Sequence, residues 1–293
     1  PRLDNDGKTC FILQEQYRGY SNLDKGKKKQ KALPIMVLRK MMDVSITHKE
    51  VALTQLCIGA IFFAMRSCEY LKSTHSEDSK RTKILRLKNI RFKKDGIILN
   101  HNSPFFMHAD LVAITFEFQK NNRRNRTVHM FSTNDSLLCP VKAWASTVKR
   151  IWNTIPGANG DTRVCSYNDQ GSTRALDSNY ARSRIRAIVE LIGKTRLGFT
   201  KEDVGLHSLR SGCAMAMFLS GVATLIIQRV VRWESDAFME YIREQVETFT
   251  LGVSSKMLLN QDYQHLIREE DERNNADQNV PTLEGDGASF AIP

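Results

Sequence analysis

The chain has 293 residues, of which 41% are hydrophobic, so its composition excludes a fibrous or wholly disordered protein. It contains 43 Lys and Arg against 32 Asp and Glu, which gives a formal net charge of +11. Residues 268–293 carry two Arg and seven Asp or Glu, so the rest of the chain is more basic than the total indicates. This surplus predicts a polyanionic partner, with nucleic acid as the first candidate and an anionic membrane surface as the second.

The cysteines and the apolar runs narrow the class of protein further. The six cysteines form no CxxC pair, which argues against a zinc ribbon and a disulfide framework, and we expect buried thiols in a reducing compartment. The most apolar run, Val51 to Met65, is too short to span a bilayer. We expect no membrane segment and no secretory signal at the first residues.

The first third of the chain is predicted to be a basic arm followed by two helices. Residues 1–31 are polar and read as a flexible linker, in which Lys27, Lys28 and Lys29 are candidate DNA contacts. A short helix is predicted over Ile35 to Met42. Thr47 and Glu50 have the spacing of a capping box, which starts a second helix that should run to about Met65 and be buried nearly all round.

A small, mostly antiparallel sheet is predicted next. Strand patterns cover residues 84–92, 97–99, 113–119 and 127–131, with turn-like residues at 93–96 and 121–125. Three arginines, Arg123, Arg124 and Arg126, crowd the last of these turns and are further candidate DNA contacts.

The remainder is predicted to be helical, with one irregular stretch. A helix begins at Pro140, residues 153–177 are expected to be irregular, and helices follow at about 178–192, 207–219, 223–231, 235–248 and 254–267. The acidic residues 268–293 are expected to be a disordered tail. The prediction is therefore an α+β domain, mainly helical, over residues 32–267.

The sequence lacks the marks of most enzymes that act on phosphate. It has no Walker loop, no HExxH, no GxSxG and no GxGxxG after a strand, and its acidic residues are scattered outside the tail, whereas metal-dependent nucleases need clustered carboxylates. We therefore expect phosphoryl chemistry, if any, to use side-chain cations and no cofactor or metal.

One short motif could supply such cations. His207 and Arg210 are three residues apart on a predicted helix, so an imidazole and a guanidinium lie on one face and could contact one phosphate. Taken alone, His207 is more simply a buried histidine with one hydrogen bond.

Three other residues gain meaning only together with this motif. Arg66 follows a buried helix, with Glu69 three residues on, and its simpler reading is a structural ion pair with that acid. Lys120 precedes a polar turn and could be an ordinary solvated lysine. Tyr241 could be a half-buried helix aromatic.

In chain order, Arg66, Lys120, the HxxR box at His207 to Arg210, Trp233 and Tyr241 form a set that resembles the tyrosine recombinase (phage integrase) superfamily. The segments Arg66 to Leu71 and Gly205 to Gly212 resemble its two arginine motifs, and Trp233 lies eight residues before Tyr241. The segment RWESDAFMEYIR is most similar to eukaryotic crypton-type recombinases, which are enzymes of mobile elements. The resemblance covers roughly residues 32–265, and residues 1–31 are shorter than the N-terminal DNA-clamping domain of that family.

The resemblance implies a tyrosine recombinase catalytic-domain fold and a metal-independent mechanism on double-stranded DNA. Tyr241 would be the nucleophile that forms a 3′-phosphotyrosyl ester, and Lys120 the general acid. Arg66 and Arg210 would form a clamp on the phosphate, and His207 would be a proton acceptor or a hydrogen-bond partner to the phosphate. Trp233 would donate its indole N–H, and Glu69 would orient Arg66 or His207. A dimer or tetramer on DNA is implied, joined through residues 249–267, in the nucleus if the source is eukaryotic; an ordinary C-terminal helix is the alternative for that segment.

Three other functions remain open from the sequence. A catalytically silent, domesticated recombinase would bind DNA without cutting it. A type IB topoisomerase would also form a covalent bond between a tyrosine and DNA, although such an enzyme would be expected to carry His rather than Trp at position 233. A basic membrane-surface protein would need a strongly amphipathic basic helix, which we do not find.

Overall fold

The structure is a computed structural model, and it describes residues 30–73, 83–118 and 124–233. It confirms an α+β fold, mainly helical, with a small antiparallel sheet. The helices are α1 (Ile35–Asp43), α2 (His48–Phe62), α3 (Ser67–Tyr70), α4 (Pro140–Thr154), α5 (Ser178–Ile192), α6 (Lys194–Leu197), α7 (Ser208–Leu219) and α8 (Thr224–Val231). The strands are β1 (Ile90–Lys94), β2 (Ile97–Leu99), β3 (Leu111–Phe118), β4 (Arg124–Phe131), β5 (Ser166–Asp169) and β6 (Ser172–Ala175).

Helix α2 lies at the centre of the core, as its apolar sequence predicts. It begins with the predicted capping box, in which Glu50 N–H donates to Thr47 Oγ1 at 3.2 Å and Thr47 N–H donates to Glu50 Oε2 at 3.1 Å. Its middle is buried against α4, where the Trp144 ring closely approaches Gly59. The helix therefore holds the residues that follow it in a fixed place.

Helix α2 ends at Phe62, three residues before the predicted end at Met65. The cause is Ala64, whose φ of 44° takes the chain into the left-handed region, while Met65 N–H still donates to the Ala60 carbonyl at 3.0 Å. This end leaves the buried carbonyls of Phe63 and Ala64 facing other elements, just before Arg66.

The four-stranded sheet has the order β2-β1-β3-β4, with every neighbouring pair antiparallel. The turn between β1 and β2 uses positive φ at Asp95 and Gly96, as expected for a two-residue hairpin. The predicted strand over residues 84–92 is wrong in its first half, since residues 87–89 form a single 3-10 turn. The apolar side chains there are buried, but Leu85 N–H donates to the carbonyl of Glu69 in α3 and Leu87 N–H to the carbonyl of Thr162 in a loop.

The prediction that residues 153–177 are irregular is also wrong, because β5 and β6 form a two-stranded hairpin there. Its turn has positive φ at Gln170 and Gly171, and Gly171 N–H donates to Asn168 Oδ1 at 2.8 Å. The strands are mostly polar, so they lack the alternation of apolar residues that indicates a strand in a sequence.

Helices α5, α7 and α8 confirm the predictions for 178–192, 207–219 and 223–231 to within a residue. Helix α7 packs tightly on residues 31–33: Leu33 N–H donates to the Ser208 carbonyl at 2.9 Å, and a Cβ at Gly212 would lie 2.3 Å from the Leu33 carbonyl oxygen. The predicted arm, the helices at 235–248 and 254–267, and the acidic tail lie outside the described residues.

Candidate active site

Arg66 lies at the N-terminus of α3, directly after the left-handed end of α2. Its Nη1 is 3.3 Å from Glu69 Oε1, so the structural ion pair that the sequence suggests is present. Its backbone N–H donates to Glu69 Oε2 at 2.8 Å. The Arg66 side chain is 23% exposed. A phosphate arriving from solvent can therefore reach it.

Arg210 lies in the first turn of α7 and is 1% exposed. Its Nη1 donates to the Ala64 carbonyl at 2.6 Å, and its Nη2 donates to the Val231 carbonyl at the end of α8. Burial and the positive charges of Arg66 and Arg232 lower the pKa of Arg210 to about 9. The guanidinium thus ties α7 to the ends of α2 and α8.

His207 immediately precedes α7, and its side chain is exposed. Its backbone N–H donates to Gln30 Oε1 at 3.2 Å. Partial desolvation and the nearby charges of Arg210 and Arg66 lower the pKa of His207. His207, Arg210 and Arg66 therefore lie within electrostatic range of one another, although the chain separates Arg66 from the motif at 207–210 by about half its length.

Trp233 follows the end of α8, and its ring centroid lies 5.4 Å from the Arg210 guanidinium carbon. Such a distance is within the range of a cation–π contact. Its backbone N–H donates to the Gln228 carbonyl at 3.1 Å, which fixes the chain where it leaves α8. The structure therefore brings together Arg66, Glu69, His207, Arg210 and Trp233.

Arg232 is a residue of this cluster that the sequence reasoning missed. It is 1% exposed, and its Nη1 and Nη2 lie 2.9 and 2.8 Å from the two carboxylate oxygens of Glu69. Its guanidinium also lies 3.6 Å from the ring centroid of Phe116 on β3. The available signal was a charged residue directly after the apolar helix 224–231, the same signal that singled out Arg66.

Glu69 is the acid at the centre of these contacts and is 1% exposed. Burial by itself raises the pKa of this carboxyl, but the charge and hydrogen bonds of Arg232, the Arg66 backbone N–H and the charge of Arg210 outweigh it and lower the pKa overall. Glu69 is therefore an anion among three arginines.

The remaining predicted site residues are only partly described. Arg124 is exposed on β4, 5.5 Å from the Phe118 ring centroid, whereas Arg126 is half-buried and donates from Nη2 to the Arg229 carbonyl on α8 at 2.9 Å. Arg126 thus links β4 to α8. Six of the predicted site residues lie outside the described ranges: Lys27, Lys28, Lys29, Lys120, Arg123 and Tyr241.

The described residues offer neither a metal-ligand cluster nor a membrane-spanning helix. Within residues 30–73, 83–118 and 124–233, no group of three or more His, Cys, Asp or Glu side chains is arranged to hold a metal ion. Among the same residues, we find no helix with the length and apolar character needed to cross a bilayer.

Comparisons with known proteins give matches among solved structures only. The sequence matches no family model and no curated protein. The chain is similar to the XerH site-specific recombinase in a post-cleavage complex with its palindromic difH substrate, with 17% identity, a TM-score of 0.49, and coverage of 79% of this chain and 54% of that one. It is also similar to the Tn1549 transposon integrase in complex with transposon right-end DNA, with 8% identity, a TM-score of 0.46, and coverage of 80% and 66%.

A third similar structure is FLP recombinase in a Holliday junction complex, with 14% identity, a TM-score of 0.40, and coverage of 80% of this chain and 54% of that one. This chain spans about half the length of the XerH and FLP chains that it matches. At these identities and TM-scores, the likeness assigns neither a reaction nor a DNA site to this chain.

Proposed function

We propose that this chain cleaves and rejoins DNA strands through a 3′-phosphotyrosyl intermediate, with Tyr241 as the nucleophile. The observation that carries the proposal is the gathering of Arg66, His207 and Arg210 beside Trp233, because Arg66 is remote in the chain from the other three and Arg210 donates to the Ala64 carbonyl, two residues before Arg66. Two guanidiniums and an imidazole in one place are suited to binding a phosphate with side-chain charge.

The proposed chemistry begins with charge on the phosphate. Negative charge builds on the non-bridging oxygens as the phosphodiester is attacked, and Arg66 and Arg210 neutralise it with fixed N–H donors. Arg66 is partly exposed and meets the phosphate directly. Arg210 donates two hydrogen bonds to carbonyls, which leaves other N–H groups of its guanidinium for the phosphate. Because Arg210 is buried, the side chains that cover it must move when DNA binds.

Proton transfer follows from the same arrangement. Tyr241 Oη forms a bond to phosphorus as the bond from phosphorus to the 5′-oxygen breaks; His207 accepts the proton of the phenol, and Lys120 donates one to the leaving oxygen. The lowered pKa of His207 supports this role, since a neutral imidazole is needed to accept a proton. Trp233 donates an indole N–H to a phosphate oxygen, and a free 5′-hydroxyl from another strand reverses the reaction.

The proposed assembly is a dimer or tetramer on double-stranded DNA, in which residues 249–267 of one copy bind another. Support comes from an apolar groove of about 240 Å³ between α1, α2, β4, α7 and the loop that follows α7, which includes Ile61, Met217 and Val222. Leu225 and Ile226 of α8 are further apolar side chains that are exposed. A more specific proposal is that the protein is a crypton-type recombinase that acts in a nucleus, and this rests on the sequence of residues 232–243.

A second candidate function is a DNA-binding module that no longer cuts. The observation that favours it is the burial of Arg210, whose Nη1 and Nη2 both donate to main-chain carbonyls. In such a protein, Arg210 would serve only to connect α2, α7 and α8.

One experiment distinguishes the two candidates. The full chain would be incubated with a pool of nicked duplexes of randomised sequence, in which a short strand diffuses away after cleavage and traps the covalent product on a denaturing gel. We expect a covalent adduct from the parent protein and from Tyr180→Phe, a matched control on α5, and none from Tyr241→Phe. DNA binding by all three proteins without any adduct would overturn the proposal in favour of the binding module.

A further inference from the structure

Arg232 occupies a position that is unfavourable for an arginine in two respects. Its backbone has φ 60° and ψ 43°, in the left-handed region that residues with a Cβ seldom adopt. Its charge is buried, with 1% of the residue exposed, and burial of a charge is costly unless it is paired. Such a position persists only when several contacts determine it.

The contacts of Arg232 come from three separate parts of the fold. Both Glu69 oxygens accept from it at 2.8 and 2.9 Å, and the Phe63 and Ala64 carbonyls accept from Nη2 at 3.4 and 3.3 Å. The face of the guanidinium lies on Phe116 of the sheet. A bidentate carboxylate contact together with stacking on a ring fixes the plane of the guanidinium.

These contacts are shared with the residues that would bind the phosphate. Glu69 also accepts from the backbone and side chain of Arg66, and the Ala64 carbonyl also accepts from Arg210. Arg232 is bonded in sequence to Trp233, whose ring lies near Arg210. Through two shared acceptors and one peptide bond, Arg232 therefore connects Arg66, Arg210 and Trp233.

We propose that Arg232 is a positioning residue, which sets Arg66, Arg210 and Trp233 in the geometry needed for strand cleavage and never touches DNA itself. This inference rests on the proposed function. The alternative is that Arg232 only stabilises the fold, which is the role we give to Arg150 on α4, whose guanidinium donates to Gln55 Oε1 and to the Ser166 carbonyl.

The test compares Arg232→Lys and Arg232→Met with Arg150→Met as the control for lost stability. For each protein, the temperature of unfolding, the affinity for randomised duplex DNA and the single-turnover rate of adduct formation at saturating DNA would be measured well below the unfolding temperature. We expect Arg232→Met to form adduct roughly 10- to 100-fold more slowly, because small displacements of reacting groups have effects of that size, with DNA affinity changed less than threefold or so. Arg232→Lys keeps the charge but not the bidentate contact and should recover part of the rate.

A double variant, Glu69→Gln with Arg232→Met, removes both buried charges and serves if Arg232→Met alone does not fold. Removing both partners relieves the uncompensated charge, so stability should return towards that of the parent while the cleavage rate stays low. A double variant that regains both stability and the parent's rate would overturn the inference, as would equal rates for Arg232→Met and Arg150→Met. Absence of adduct from the parent protein would instead overturn the proposed function, and with it the role given to Arg232.

Discussion

The Trp144 ring lies against Gly59 of α2 and leaves no room for a side chain at that position. A Cβ at position 59 would lie 2.7 Å from the indole, and Trp144 is fully buried, so the ring has no space into which to move. We expect Gly59→Ala to reduce the free energy of unfolding by about 1–3 kcal/mol, the usual range for overpacking, measured by denaturant titration. Gly160→Ala is the control, since its Cβ would meet only Lys88 Cβ at 3.4 Å; equal stability of Gly59→Ala and the parent would contradict this packing.

The protonation of His207 depends on its neighbours. Its pKa is lowered by partial desolvation and then by Arg210 and Arg66, so the neutral imidazole persists to a lower pH than in a free histidine. Replacing Arg66 by Ala removes one repelling charge, and we expect the pKa of His207 to rise towards 6.5, measured by an NMR titration of the imidazole. Arg39→Ala, which removes a surface arginine paired with Asp135, should leave that pKa unchanged. A pKa that does not respond to Arg66→Ala would show that the two side chains are not in electrostatic range.

Among single residues, the sequence could predict site residues whose type and position in a helix are unusual. It could not predict a residue whose role depends on contacts with distant parts of the chain. Arg66, His207 and Arg210 stand out because charged groups follow a buried helix or share a helical face. Arg232 was missed because its importance lies in two oxygens of Glu69 and one face of Phe116, which are remote from it in the chain.

At the scale of elements, helix α7 depends on residues 31–33 as much as on its own sequence. A Cβ at Gly212 would lie 2.3 Å from the Leu33 carbonyl oxygen, and Leu33 cannot give way easily because its N–H is held by the Ser208 carbonyl of the same helix. We expect Gly212→Ala to reduce the free energy of unfolding by more than about 2 kcal/mol, at or above the middle of the overpacking range. Gly205→Ala is the matched control, because its Cβ would meet the end of the flexible Gln30 side chain; the reverse order of the two effects would contradict this arrangement.

Local signals explain which elements the sequence could predict. The capping box of Thr47 and Glu50 and the terminating Gly193 act within a few residues, and the helices they bound are present. The hairpin β5–β6 was missed because its polar strands show no alternation of apolar residues. Residues 84–89 were misassigned because their apolar side chains are buried, while the pairing described there is an isolated bridge between Arg86 and Arg163 and not a strand. The hydrogen bonds that decide the structure of residues 84–89 join distant segments, at Glu69 and Thr162, whereas those of β5–β6 are local.

For the whole molecule, the Glu69–Arg232 pair should make stability depend on pH. The pKa of Glu69 is lowered in the fold, so its contribution is fully present above the unfolded pKa near 4.5 and is lost as pH falls through the lower, folded value. We expect Glu69→Gln to reduce the free energy of unfolding by about 3–5 kcal/mol at pH 7, the range for breaking a buried pair, with the difference narrowing below pH 4 or so. Asp161→Asn, at an exposed pair with Lys88, is the control and should change little. A constant difference between Glu69→Gln and the parent across this pH range would contradict the assignment.

The central claim concerns the covalent bond between Tyr241 and DNA. Cleavage of the trapped adduct by trypsin after Arg232 and Arg243 releases residues 233–243, in which Tyr241 is the only tyrosine and Ser235 is the competing hydroxyl. After nuclease digestion, fragmentation of this peptide in a mass spectrometer would locate the nucleotide. The account predicts a 3′-linked nucleotide on Tyr241; a nucleotide on Ser235 or another peptide, or no modified peptide at all, would contradict it.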